Sequence, residues 1–205
     1  MFEKLFKSEL AVIQSNEILT AKLWDEIHIH YSSSNRHYHN LAHLDNLATG
    51  LSAIRDIIND WQTIIFSVAY HDIVYNILKK DNEEKSGDVA FERLAELNLP
   101  DKQRIKCRQQ ILATKLHGLN TDSDTNYFTD ADLAILGADD DLYNLYTRQI
   151  RKEYKFYPDL LYKPGRRKVL QHFLQMDSIY KTSYFKDKYE WQARKNIKRE
   201  LMDLG

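Results

Sequence analysis

The sequence predicts an all-helical fold, on three observations. Glycine and proline are scarce, six and three in 205 residues, against about 12% in average usage. Apolar residues recur at the three-to-four spacing of an amphipathic helix along most of the chain. Polar breaks between these runs are few, whereas sandwiches and barrels need frequent turn residues. Chemistry is therefore expected on helix faces and helix ends.

The elements follow in order. A short N-terminal helix precedes a run over 16–31, where Ile18, Leu19, Leu23, Trp24, Ile27 and Tyr31 share a face behind an Asn16 cap. After Ser32-Ser33-Ser34-Asn35, a second helix is expected from near Tyr38, carrying Leu44, Leu47, Leu51 and Ile54. Trp61 to Tyr75 is apolar nearly all round, as a central helix would be. Asp81-Asn82-Glu83-Glu84 has the form of a capping box before Val89, Phe91, Leu94 and Leu97. Pro100 opens a helix through Ile105, Ile111 and Leu112 to His117, ended by Gly118. Leu119 to Asn126 reads as a polar loop and a movable lid. A short helix is expected after Thr129-Asp130 as far as Gly137, and a longer one through Leu142, Leu145, Ile150 and Tyr154. Tyr157-Pro158 breaks it, Pro164 starts the next, and Ser183 caps the last. That makes about eight to ten helices in one domain over 1–205, with a core about 36–137 and helices 138–205 packed on it.

With 43% hydrophobic and 29% charged residues, the composition is that of a globular protein and excludes wholesale disorder. A formal charge of −1 points away from nucleic acid as a partner. The single cysteine, Cys107, excludes an internal disulfide and reads as a buried core thiol. No run approaches the roughly 18 apolar residues of a membrane span, and Met1-Phe2-Glu3-Lys4 opens no signal peptide, so a cytoplasmic location is expected.

Histidines and carboxylates carry the chemistry. His39 and His43, four residues apart in Tyr38-His39-Asn40-Leu41-Ala42-His43, would share one helix face. His71-Asp72 follows the apolar run, where a carboxylate is costly unless paired or metal-bound. His117 and Asp130-Ala131-Asp132 complete a set that suits a divalent ion, Mn²⁺, Fe²⁺, Co²⁺, Ni²⁺ or Zn²⁺ before Mg²⁺. A lone histidine is more often a surface or satisfied group; the argument lies in the ordered set. Asp130 is equally readable as an N-cap after Thr129, and His28, His30, His37 and His172 as structural. Tyr38, Tyr70 and Tyr75 flank the site, and Arg166-Arg167 reads as a solvated face or a helix-start phosphate contact.

The ordered set His43, His71-Asp72 and Asp132 resembles the HD-domain superfamily of metal-dependent phosphohydrolases over about residues 36–137. Tyr38-His39-Asn40-x-x-His43 resembles the opening motif of the cyclic-nucleotide phosphodiesterases, but the chain departs from them after the His-Asp pair, including their glutamine-bearing purine pocket. The whole chain resembles a bacterial family of predicted HD phosphohydrolases at Arg36-His37-Tyr38-His39-Asn40, Ala69-Tyr70-His71-Asp72, Asn82-Glu83-Glu84-Lys85-Ser86 and Asp130-Ala131-Asp132-Leu133.

This resemblance implies one or two divalent ions held by His43, His71, Asp72 and Asp132, with Asp72 bridging a pair. It favours Asp132 over Asp130 as ligand and implies His39 as the proton donor to the leaving oxygen. His117 matches a position used for a second ion or for phosphate. Glu83 and Glu84 could orient water, and Arg36 and Lys115 are candidate phosphate contacts. The ion would lower the pKa of water and polarise a phosphoryl oxygen. The activity implied is hydrolysis of a small phosphate ester, nucleotide-like. The alternatives are a sensor that binds metal and nucleotide without turnover, and a di-iron oxygenase on the same scaffold.

Overall fold

Apolar residues at helical spacing bury themselves by helix packing, and the computed structural model, which describes residues 1–205, has helices and no strand. The ten α-helices are α1 (Phe2–Val12), α2 (Glu17–Tyr31), α3 (Leu41–Ser52), α4 (Trp61–Tyr70), α5 (Asn82–Glu96), α6 (Asp101–Ala113), α7 (Ser123–Asp132), α8 (Asp140–Glu153), α9 (Asp159–Gln175) and α10 (Ser183–Asp203). Short 3-10 turns occupy Arg55–Ile57 and Leu133–Gly137. The chain forms two compact units, Met1–Thr129 and Asp130–Gly205. Their division falls inside α7 rather than in a linker.

In the first unit α4 is the hydrophobic axis. Ile64, Ile65, Phe66, Val68, Ala69 and Tyr70 are all fully buried, and α4 packs against α1, α3, α5 and α6. Its buried hydroxyl Ser67 donates to Gln110 Oε1 at 2.7 Å, so the polar group stays paired. Asp60 Oδ1 accepts the Thr63 N–H at 3.1 Å and opens the helix. Cys107 is buried as expected, and its thiol is pushed up to about 12 by desolvation. No helix of the structure is long and apolar enough to cross a membrane.

In the second unit the turn 133–137 lies on α10. Asn196 Nδ2 donates to the carbonyls of Leu136 and Ala138 at 2.9 and 2.8 Å, holding that turn. Gly137 is required there, because a Cβ would stand 2.5 Å from Tyr189 Cβ and 2.7 Å from its carbonyl oxygen. Arg166 and Glu200 form a bidentate pair at 2.7 and 3.0 Å, and Tyr143 donates its hydroxyl to the same carboxylate.

Several boundaries differ from the sequence reading. The helix expected from Tyr38 starts at Leu41, because the Asn40 side chain takes the Ala42 N–H at 2.9 Å and caps it. The central helix stops at Tyr70, not Tyr75. Side chains capture the N–H groups beyond it: Asp72 N–H donates to the Tyr31 hydroxyl and Val74 N–H to Ser86 Oγ, both at 3.1 Å.

The expected lid at 119–126 contains the first turn of α7, which Asp122 opens by accepting the Thr125 N–H at 3.0 Å. Asn120 and Asn126 also pair reciprocally at 2.9 and 2.8 Å. Periodicity missed this helix because its buried positions include Asp124, Thr125, Asn126 and Thr129, which are polar. Asp130 and Asp132 consequently end a helix instead of starting one.

The capping box at Asp81 is not formed; Asp81 pairs with Lys85 at 2.8 Å. Pro164 lies inside α9, which starts at Asp159 after Pro158, so Arg166 is mid-helix and buried against Glu200. Thr182, not Ser183, flanks the start of α10, and its hydroxyl goes to Asp130 Oδ2 at 2.7 Å.

Candidate metal centre

Its histidines come together by a route the sequence did not indicate. His39 precedes the Asn40 cap, outside α3, while His43 lies in the first turn of that helix. Their rings are nevertheless 5.7 Å apart between centroids, brought close by the turn at 36–40. Tyr38 packs on both rings at 4.9 Å, and Tyr75 lies 4.5 Å from the His39 ring. The shared helix face expected for His39 and His43 is therefore corrected to a turn followed by a helix.

His71 caps the C-terminal end of α4. Its Nδ1 is 3.0 Å from the Val68 carbonyl oxygen. A carbonyl only accepts, so Nδ1 carries a proton there and Nε2 points away from the helix. That Nε2 lies 3.1 Å from His43 Nε2 and 3.2 Å from Asp72 Oδ2. His43 and His71 are 3% and 1% exposed, so water screens the arrangement little. One proton can join His71 Nε2 to only one of these two neighbours, whereas a divalent cation can be shared between His71 and either of them. Donors each about 2.1 Å from one ion at tetrahedral or octahedral angles stand roughly 3.0–3.4 Å apart. The two separations from His71 Nε2, 3.1 and 3.2 Å, lie in that range.

Arg36 fixes the surrounding backbone. Its guanidinium donates to the carbonyls of Asp72 at 2.6 Å, Ile73 at 3.0 Å and His39 at 3.3 Å. It also lies over the rings of Tyr31 and Tyr75, at 4.7 and 5.3 Å. One buried cation thus ties the His39 turn to the segment that follows His71. Phe128, on α7, meets the His71 ring edge-on at 5.9 Å. His39 Nε2 is 4.0 Å from Asp72 Oδ2, and both side chains are about one-fifth exposed.

The remaining candidates take other places. Lys115 donates to Glu84 Oε1 at 2.5 Å and to the Lys80 carbonyl at 2.8 Å, with Glu83 at 4.0 Å. That contact lowers the Glu84 carboxyl and raises the Lys115 ammonium from their ordinary values. His117 stands beyond α6 in the left-handed region at φ 51°. Tyr70 does not line the site. It is fully buried, with its hydroxyl unpartnered, and desolvation raises it well above the ordinary tyrosine value.

Asp130, in the second unit, is fully buried and accepts from Lys181 N, Thr182 N and Thr182 Oγ1 at 2.7–3.0 Å. It is neither an N-cap nor exposed. Asp132 is the last residue of α7, four positions after Phe128 and hence on the same face of that helix.

The sequence reading missed the Tyr31 hydroxyl that holds the Asp72 amide, and Lys181 behind Asp130. Neither lies near a motif, and only tertiary packing reveals them. Comparison with protein-family models, curated proteins and solved structures finds no match.

Proposed function

We propose that this chain is a divalent-metal-dependent phosphohydrolase acting on a small, nucleotide-like phosphate ester. The observation that carries this reading is that His71 Nε2 has both His43 Nε2 at 3.1 Å and Asp72 Oδ2 at 3.2 Å, with the His71 ring oriented by the Val68 carbonyl. Two neutral imidazoles and a carboxylate form a borderline donor set for a first-row divalent ion. Asp132 is the proposed fourth ligand, on the motif order. His117 is kept for a second ion or for phosphate.

A divalent ion in this place supplies Lewis acidity toward water and toward a phosphoryl oxygen. The chain's own residues do the rest. The Val68 carbonyl holds the His71 ring, and Arg36 fixes the backbone of Asp72 and His39 together. His39 stands 4.0 Å from Asp72 Oδ2, partly exposed against Tyr75, where an imidazole can pass a proton to a leaving oxygen. Glu83 and Glu84 remain candidates for orienting water, with Lys115 as their counter-ion.

The test is elemental analysis of the purified protein, then a phosphate-release screen across nucleotides and sugar phosphates with His71→Ala and Asp72→Ala as controls. Stoichiometric metal and release lost in both variants are expected. Release that persists in them overturns the assignment. Metal and nucleotide binding without turnover replaces it with the sensor reading.

A further inference from the structure

Charge is spread unevenly along the chain. Residues 148–168 carry eight lysines and arginines against two carboxylates, in a protein whose formal charge is −1. Within that stretch, the turn from α8 into α9 holds three large apolar side chains in water. Phe156 is 78% exposed, Leu160 84% and Leu161 60%. Exposed apolar residues scattered singly are ordinary, but a group of them rimmed by charge marks a contact surface.

The turn is fixed from within. Arg151 donates to the carbonyls of Tyr154 at 2.9 Å and Tyr157 at 3.1 Å, and to Asp159 Oδ1 at 2.7 Å. The Tyr154 ring packs on those of Tyr157 and Tyr162 at 5.8 and 5.9 Å, and Arg151 lies over Tyr162 at 4.7 Å. With the backbone pinned in this way, Phe156 and Leu160 stay turned outward.

The same contacts mask its negative charge. Asp159 is paired with Arg151, and Glu153 is buried. Arg166 is committed to Glu200. Lys152, Lys155, Lys163 and Lys168 remain exposed, with the Lys155 ammonium 5.2 Å from the Phe156 ring centre. Along α9, Lys163 and Arg167 follow Leu160 at i+3 and i+7, and Lys168 follows Leu161 at i+7. Basic groups therefore continue the helix faces that the two leucines begin. At the helical rise they stand about 5–10 Å behind the apolar tip.

We propose that this turn attaches the protein to the surface of an anionic lipid bilayer. Phe156, Leu160 and Leu161 enter the headgroup boundary while the lysines meet the anionic headgroups. An interfacial apolar face sinks roughly 5–10 Å, which brings the basic groups behind it to headgroup level. A nucleic acid would use the charges and leave the apolar tip in water. A second copy of the chain, docked through the same turn, would set like charge against like. Anionic lipid answers both features. Attachment is peripheral, since no helix is long and apolar enough to cross a membrane.

The experiment is co-sedimentation of the full chain with vesicles of phosphatidylcholine alone or mixed with phosphatidylserine, at low and high salt, beside sedimentation velocity without lipid. Binding to the mixed vesicles only, weakened by salt, is expected. Phe156→Ser/Leu160→Ser keeps every charge and should bind about tenfold or more weakly. Lys155→Gln/Lys163→Gln should lose roughly fivefold per charge. Tm for each variant checks that the fold is retained. No wild-type binding to mixed vesicles overturns the proposal, as does unchanged binding in Phe156→Ser/Leu160→Ser, which is adsorption by charge alone. Self-association abolished by that variant, without vesicle binding, gives the turn to a second copy and overturns it too. Tighter binding to duplex DNA than to mixed vesicles, indifferent to the apolar changes, does the same.

If Phe156→Ser/Leu160→Ser does not fold, an environment-sensitive dye on Phe156→Cys decides, because Cys107 is buried and escapes labelling. Emission shifted to the blue by mixed vesicles supports insertion, and unshifted emission overturns it.

Discussion

The Nε2 atoms of His43 and His71 face one another across 3.1 Å, in side chains almost wholly removed from water. Joined by a divalent ion, the pair links α3 to the end of α4. Metal loading is therefore expected to stabilise the fold, by about 2.7 kcal/mol at a free-ion concentration a hundredfold above Kd. Thermal melts with and without a chelator measure it. His43→Ala and His71→Ala should melt at the same temperature in both conditions.

His39 lies outside α3, with its Nε2 4.0 Å from Asp72 Oδ2. Its replacement by alanine is expected to leave metal content unchanged while lowering turnover by about 10²–10⁴-fold, the range of a lost general acid. Elemental analysis beside steady-state rates separates this from a ligand role, in which metal is lost too.

Arg36→Ala removes three donors from the carbonyls of His39, Asp72 and Ile73 and leaves a buried gap between Tyr31 and Tyr75. A loss of roughly 2–3 kcal/mol in urea unfolding is expected, since hydrogen bonds from charged groups are the strong class. Metal affinity should fall as well, because the Asp72 backbone is no longer fixed.

Gly137→Ala places a methyl 2.5 Å from Tyr189 Cβ and 2.7 Å from the Tyr189 carbonyl oxygen. Backbone cannot step aside as a flexible side chain would, so destabilisation of about 1–3 kcal/mol is expected from overpacking. Denaturant midpoints measure the change. Gly165→Ala has open space around it and is the neutral control for fit.

Desolvation holds the Cys107 thiol up at about 12, above its ordinary value. Below the ordinary thiol value both folded and unfolded chains keep the proton, and the contribution to stability is intact. As pH rises past that value the unfolded chain alone releases it, so stability falls by up to about 1.4 kcal/mol per pH unit until the folded thiol titrates. Unfolding free energies between pH 8 and 11, as estimated from reference thiol values, should decline more steeply in wild type than in Cys107→Ser. Tyrosine titration is common to both and cancels in the comparison.

Much of the architecture was legible in the chain. The apolar positions of α2 and α4 repeat as a helix must, and Asn16 caps α2 as expected, accepting the Leu19 N–H at 2.8 Å. α7 was not legible, because its buried positions are polar: the Thr125 and Thr129 hydroxyls are satisfied locally, by Asp122 and by the carbonyls of Thr125 and Asn126, and Asp124 by other elements. Asp124 accepts the N–H groups of Asn59 and Asp60, at 2.9 Å each, and the Lys106 ammonium at 2.8 Å. Polar periodicity carries no helix signal until those partners are known.

The sequence by itself determined the helical class and the order of the histidines and carboxylates, because both follow from residue type and spacing along one chain. Tertiary structure alone decided which groups meet. It put His39 on a turn, turned His71 Nε2 toward His43 through the Val68 carbonyl, and committed Arg36 to the backbone. It also enclosed Lys181 beside Asp130. These outcomes depend on where N–H and C=O groups from distant segments end up, since a buried polar atom takes whichever partner packing brings within reach.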